Sequence, residues 1–205
     1  VHFHHFALIG LEALALTRRV LPQARIVATL HDYHPICAND GLMVTTGGAL
    51  CHGASPDACH ACLPDIAQHR FATRNLHLRN MLGLVDRFIA PSRFLKDRFV
   101  AWGIAADRID VIENAVAAAP VDSGKQAARV RRTFGLFANV APHKGTLLAL
   151  AAISRVAEAI PDAVLRIHGG MNFQDDAFRR NFETTLCETG DAATHCGPYP
   201  REDLP

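Results

Sequence analysis

The sequence predicts an α/β protein built on parallel sheets. Three observations carry this reading: β-type runs alternate with helix-type runs, each β-type run ends in polar or turn residues, and one small, polar, basic break divides the series. In order, the β-type runs are RIVATL (25–30), RFIAP (87–91), RIDVIE (108–113), TFGLFAN (133–139) and AVLRIH (163–168), with VHFHH (1–5) read as the end of an earlier strand. Helical stretches lie at 7–21, 65–85, 92–103 and 145–160; in the last, Leu147, Leu148, Ala151, Ala152 and Val156 recur at helical spacing. The break at 117–132 is punctuated by Pro120 and Gly124 and reads as a crossing between two domains. A new strand series then begins near Thr133.

Composition narrows the function classes. With 49% apolar residues, 205 residues can bury one large core or two small ones. The 21 basic side chains are offset by 20 acidic ones, so there is no basic excess and no nucleic-acid partner is expected. The run FALIGLEALAL (6–16) contains Glu12 and is too short to span a bilayer.

In parallel α/β sheets, ligands bind beyond the carboxyl ends of the strands. The informative residues are therefore the polar ones that follow each β-type run. His2, His4 and His5 follow the first, with His2 and His4 on one face at period two. His31 and Asp32 follow the second, Ser92 and Arg93 the third, and Asn114 the fourth. Any one of these histidines read alone is an ordinary hydrogen-bonded strand-end residue; several at one edge point to a shared pocket. In the second half, Lys144 and Gly145 stand at a strand-to-helix turn. Glycine lets backbone approach a ligand, the helix N-terminus offers free N–H groups to an anion, and lysine adds a mobile charge, a set that suits a diphosphate. The spacing is not that of a P-loop.

Four of the six cysteines, Cys37, Cys51, Cys59 and Cys62, read C-x13-C-x7-C-x2-C inside a Gly/Ser/Pro/Asp-rich loop (37–64). Such a loop has little capacity for a core of its own, and tetrahedral thiolate coordination of a structural zinc would staple it. His34, His52 or His60 are candidates to replace one thiol; reduced thiols or a facultative disulfide are the competing readings. Cys187 and Cys196 stand apart and read as small hydrophobes.

The ordered set VHFHH, TLHDYHPIC, APSRFLKDRF..WGI, RIDVIENAV, P-x-KG and LRIHGG resembles glycosyltransferase family 4, retaining sugar transferases of GT-B fold. GPY...DL at 197–204 is similar to the loop that faces the nucleotide base in that family. The resemblance implies two Rossmann-like domains: residues 1–118 as the later part of the acceptor-side domain, carrying the Cys-rich loop, 119–132 as linker, and 133–205 as the first part of the nucleotide-sugar domain. It implies His31 beside the donor sugar at the reacting carbon, and Lys144 with Gly145 as the diphosphate clamp. Asn139, Gly169 and Tyr199 join the donor site, while His4, Asp32, Ser92, Arg93 and Asn114 line the cleft. Catalysis would rest on stabilising the departing diphosphate, with no catalytic metal or cofactor.

The expected partners are a nucleotide-diphosphate sugar and a glycan or lipid-linked acceptor. The expected setting is cytoplasmic, peripheral on the inner face of a bacterial membrane, in polysaccharide or cell-envelope synthesis. Three departures from the family pattern stand out. Ala138-Asn139 replaces Gly-Arg, NAV at 114–116 replaces Asn-Gly-Val, and a Glu-x7-Glu segment is expected beyond Pro205. A glycine-rich turn is likewise expected before Val1, so turnover is expected only of a longer protein. Two alternatives remain open: a GT-B nucleotide-sugar epimerase, and a non-catalytic, zinc-stapled binding module in which Asn139 and Ala115 mark a decayed donor site.

Overall fold

The computed structural model describes residues 1–6, 9–115, 132–172 and 174–200. The chain divides into two compact units, Val1–Val116 and Ala117–Pro205. The expected linker, 119–132, lies outside the described residues except for Arg132, as does 201–204 of the GPY...DL motif.

The first unit is a four-stranded, all-parallel sheet in the order β1 (His2–Phe3), β2 (Val27–Thr29), β3 (Arg87–Ala90), β4 (Ile109–Val111). Its helices are α1 (Glu12–Val20), α2 (Pro56–Cys62), α3 (Gln68–Gly83) and α4 (Arg93–Trp102). Phe88, Phe99 and Ile26 are fully buried at the centre, with Leu14 of α1, Leu78 and Leu82 of α3, and Leu95 and Trp102 of α4 around them. Phe99 and Trp102 meet edge to face, the arrangement that ring quadrupoles favour. α4 starts where the Ser92 hydroxyl accepts the Leu95 N–H at 3.2 Å and stops at Gly103, in the left-handed region.

A polar brace ties the base of this sheet together. Asp86 accepts the Ile26 N–H at 2.7 Å and Arg18 at 2.9 Å, and Arg18 also donates to the Leu84 carbonyl. The Ile26 hydrogen bond, then the Arg18 hydrogen bond, hold the Asp86 carboxyl below its ordinary value against a smaller opposing effect of desolvation.

The Cys-rich loop departs from its sequence expectation. It contains α2, capped by Ser55, whose hydroxyl accepts the Ala58 N–H. It also holds a short antiparallel bridge between Val44 and Leu50. Ile36, Cys37 and Met43 enter the first unit's core. The loop therefore borrows a core from the domain, a possibility that its Gly/Pro/Asp content conceals.

In the second unit three parallel strands run β5 (Thr133–Phe137), β6 (Val164–His168), β7 (Ala193–Gly197). α5 (Thr146–Ala159) and α6 (Asp176–Thr189) supply Leu150, Ile153 and Phe182 to a core that includes Val140, Leu165 and Ile167. Two elements here have no β-type or helix-type run of their own that announces them in the sequence. α6 is capped by Asp175, which accepts the Phe178 N–H at 2.7 Å, and β7 (ATHCG) has no apolar alternation to announce it.

Candidate functional site

Each unit presents its polar residues beyond the carboxyl ends of its strands, as the parallel topology requires. In the first unit, parallel pairing of β1 with β2 sets the residues after Phe3 beside those after Thr29. His4 Nδ1 and His31 Nε2 face each other at 3.4 Å with their rings stacked at 5.7 Å. The His2 ring is 4.2 Å from that of His4, and His2 Nε2 lies 2.8 Å from the Thr29 hydroxyl. Partial burial and the nearby charges of His4 and His31 lower the pKa of His2, so this imidazole favours its neutral form.

Asp32 bonds to His5 and to the turn that follows it. Its Oδ2 accepts His5 Nε2–H at 2.9 Å and its Oδ1 accepts the His34 backbone N–H at 2.8 Å. Desolvation pushes the Asp32 carboxyl up, but these hydrogen bonds and the charges of His5 and His34 prevail and hold it below the ordinary range. Asp32 thus ties the tail of β1 to the turn at 33–37, where the Ile36 and Cys37 N–H groups both reach the Tyr33 carbonyl. His31 takes its ring contact from His4 instead. Ser92 commits its hydroxyl to capping α4, while Arg93 and Asn114 are exposed beyond β3 and β4. His5 and His34 belong to this edge as well; the VHFHH and HDYHP patterns contain them, but which of them meets Asp32 depends on the turn.

In the second unit, Asn139, Gly169 and Tyr199 line one solvent-open pocket of about 640 Å³, together with Ala138, Gly170, Asn172 and Pro198. Gly169 is what allows its two strand-end loops to meet. Its φ is +150°, and a Cβ there would fall 1.8 Å from the Ala138 carbonyl oxygen. Its N–H reaches the Gly197 carbonyl and its own carbonyl accepts His195 Nε2–H at 2.8 Å. Tyr199 packs edge-on against Phe137 and His168, themselves stacked at 4.7 Å across β5 and β6. This aromatic group escaped the sequence reading because Phe137 and His168 are far apart in the chain and meet only through strand register.

Lys144 and Gly145 do not line that pocket. Lys144 ends a 3-10 turn (Pro142–Lys144), Gly145 takes φ +70° and α5 follows at once. The first-turn N–H groups of α5 lack intrahelical acceptors, and the exposed Lys144 stands before them, a cationic helix entry.

The four loop cysteines are all unpaired. Cys37 is buried; Cys51, Cys59 and Cys62 are partly buried. As arranged, no three His, Cys, Asp or Glu side chains among the described residues form a group that can hold a metal ion. Nor is any described helix long and apolar enough to cross a membrane.

The chain is similar in fold to Alr3699/HepE of Anabaena, solved in complex with UDP-glucose, at a TM-score of 0.58 and 16% identity over 93% of this chain and 47% of that one. It is similar to a glycosyltransferase from Rickettsia africae ESF-5, at 0.55 and 14%, over 97% and 46%. It also resembles a mutant of S. aureus TarM, solved with fondaparinux, alpha-GlcNAc-glycerol and UDP, at 0.56 and 12%, over 93% and 32%. The chain therefore spans about half the length of the first and second of these structures. No curated protein matches. At these identities the likeness gives the fold: two α/β units of the Rossmann-like, GT-B type. The family model for Glycosyltransferase Family 4 matches residues 1–119, more than half of the chain, and the protein belongs to that family.

Proposed function

We propose that the protein to which this chain contributes is a retaining glycosyltransferase, moving a sugar from a nucleotide-diphosphate donor to a glycan or lipid-linked acceptor. The observation that carries the proposal is the second unit's strand-end edge in a family 4 chain: Asn139, Gly169 and Tyr199 on one open pocket, and Lys144 at a cationic helix entry. Structural relatives solved with UDP-glucose and with UDP support a uridine nucleotide as the donor's leaving group. A relative solved with fondaparinux supports a glycan acceptor.

Each residue then has a chemical task. The Lys144 ammonium and the first-turn N–H groups of α5 receive the diphosphate, whose negative charge grows as the sugar–oxygen bond breaks. Asn139 donates hydrogen bonds where the family places arginine, a weaker grip than a bidentate guanidinium. Tyr199, with Phe137 and His168, offers aromatic surface beside the pocket. His31, with His4 against its ring, takes the place beside the donor sugar. This chemistry calls for no catalytic metal, and we assign the protein to the cytoplasmic face of the membrane as a peripheral enzyme.

The test uses the full-length protein. Lys144→Ala weakens UDP binding about tenfold or more, the value of a hydrogen bond to a charged group. His31→Ala lowers kcat while UDP affinity stays within about twofold. Proton NMR of the fresh product reports the anomeric configuration, which retention preserves. Unchanged UDP affinity in the lysine variant, or an inverted product, overturns the corresponding assignment.

A further inference from the structure

The Cys-rich loop meets α3 and α4 around a cavity of about 440 Å³ whose lining includes none of the strand-end residues. Arg79, Arg98 and His52 are its basic residues, and Ile36, Met43 and Trp102 are its larger apolar walls. α4 leaves the strand-end edge at Ser92, and Trp102 is its last residue, about 15 Å farther along the helix axis. The cavity is therefore separate from the edge to which sugar transfer is assigned.

Both guanidinium groups are held in place by neutral partners. Arg79 Nε–H donates to Asn75 Oδ1 at 3.2 Å and an Nη2–H donates to the Trp102 carbonyl, while the guanidinium carbon stands 5.1 Å from the centre of the Trp102 ring. Gly103 makes room for this side chain: a Cβ there would fall 2.7 Å from Arg79 Nη1. Arg98 Nη1–H donates to the His52 carbonyl at 3.4 Å, and its guanidinium carbon lies 4.9 Å from the centre of the Phe94 ring. Most of the N–H donors on each fork are left over. Among the described residues neither arginine pairs with a carboxylate. α3 contains no Asp or Glu, and Asp97 of α4 is exposed and pairs with neither. Two guanidinium groups fixed in advance on one cavity lose little freedom when they bind an oxyanion, and they keep their full charge for it.

We propose that this cavity binds a phosphate monoester, with the phosphate on Arg79 and Arg98 and the organic part against Ile36, Met43 and Trp102. A phosphate monoester carries close to two negative charges at neutral pH, which two guanidinium groups match in number and in fork geometry. A carboxylate would answer only one of them. The source is a small soluble ester: Ile36, Met43 and Trp102 are themselves buried, so the walls offer no broad apolar surface on which acyl chains could spread.

Trp102 is the only tryptophan of the chain, so its emission reports on this cavity alone. The chain is titrated with glycerol 3-phosphate at an ionic strength held constant with sodium chloride. A saturable change in Trp102 emission is expected. Arg98→Gln weakens the binding about tenfold or more, the worth of hydrogen bonds to a charged group. Arg79→Gln acts in the same direction; because Arg79 also holds the end of α4, the Arg98 variant decides the matter if Arg79→Gln fails to fold. Lys144→Ala, in the other unit, leaves the titration unchanged. Absence of a saturable change, an equal response to sodium chloride alone, or wild-type affinity in Arg98→Gln overturns the proposal. Vesicles of phosphatidic acid in phosphatidylcholine form a second arm, and a response to them with none to glycerol 3-phosphate overturns the soluble source. None of these readouts measures sugar transfer, so failure here leaves the transferase reading standing, and the reverse holds too.

Discussion

Alanine at position 169 tests the close approach on which the second unit's pocket depends. The added Cβ would sit 1.8 Å from the Ala138 oxygen and 2.7 Å from its carbonyl carbon, both backbone atoms. Ordinary contact needs more than 3 Å, so one strand-end loop must move by more than an ångström. Alanine also disfavours the +150° φ, at about 1–3 kcal/mol. Overpacking against a wall that cannot rotate away adds about 1–3 kcal/mol. A total near 3 kcal/mol corresponds to a fall of roughly 12–24 °C in the melting temperature of a unit this size.

Gly145→Ala is the matched control. It meets the same objection to positive φ, at +70°, but nothing lies within 4 Å of its added Cβ. Its cost is therefore about 1–2 kcal/mol. Scanning calorimetry of the whole chain, with amide exchange on β6 and β7 to assign the transition, separates the two. Equal destabilisation by both substitutions would show that strain in φ, and not the Ala138 contact, is what Gly169 relieves.

Other outcomes follow from the same geometry. Phe99→Ala empties a fully buried site beside Trp102 and should cost about 3–5 kcal/mol in urea unfolding. Ser92→Ala removes the hydroxyl that caps α4 and should cost about 1 kcal/mol; a larger loss in sugar transfer than in stability would give Ser92 a role beyond the cap. Asp86 has a depressed carboxyl pKa in the folded state, so the stability it contributes is present at neutral pH. That contribution is lost as pH falls below about 4 and through the folded value. Asp86→Asn should flatten the acid limb of the stability-against-pH curve, and an unchanged limb would remove Asp86 from the account.

Legibility in the sequence followed the number of chain segments a feature needs. β2, β3, β5 and β6 each carry a compact apolar run, so alternation with helices exposed them. α6 buries a narrow stripe, with Phe182 fully inside and Phe178 and Leu186 beside it, amid charged neighbours. β7 relies on pairing with β6 for its identity. At the site, the meeting of His4 and His31 was readable because parallel strands bring successive strand ends together. The partners of Asp32 were not, because they depend on backbone direction through the 33–37 turn. Gly169 was readable as a glycine of a family motif, but its close approach to Ala138 arises only where β5 and β6 end side by side.

The two hydrogen-bonding arrangements at the first unit's strand ends differ in how they fix protons. An ionised carboxylate can only accept, so Asp32 dictates that His5 carries hydrogen on Nε2. Asparagine there would keep the shape yet present an amide that can turn its N–H toward the ring, releasing His5 to the other tautomer. Among the described residues no carboxylate bonds to His4 or His31. Either ring can hold the hydrogen between Nδ1 and Nε2, and exchanging donor for acceptor moves no heavy atom. One end of this edge has its tautomer fixed by a charge, and the other has two settings open to it.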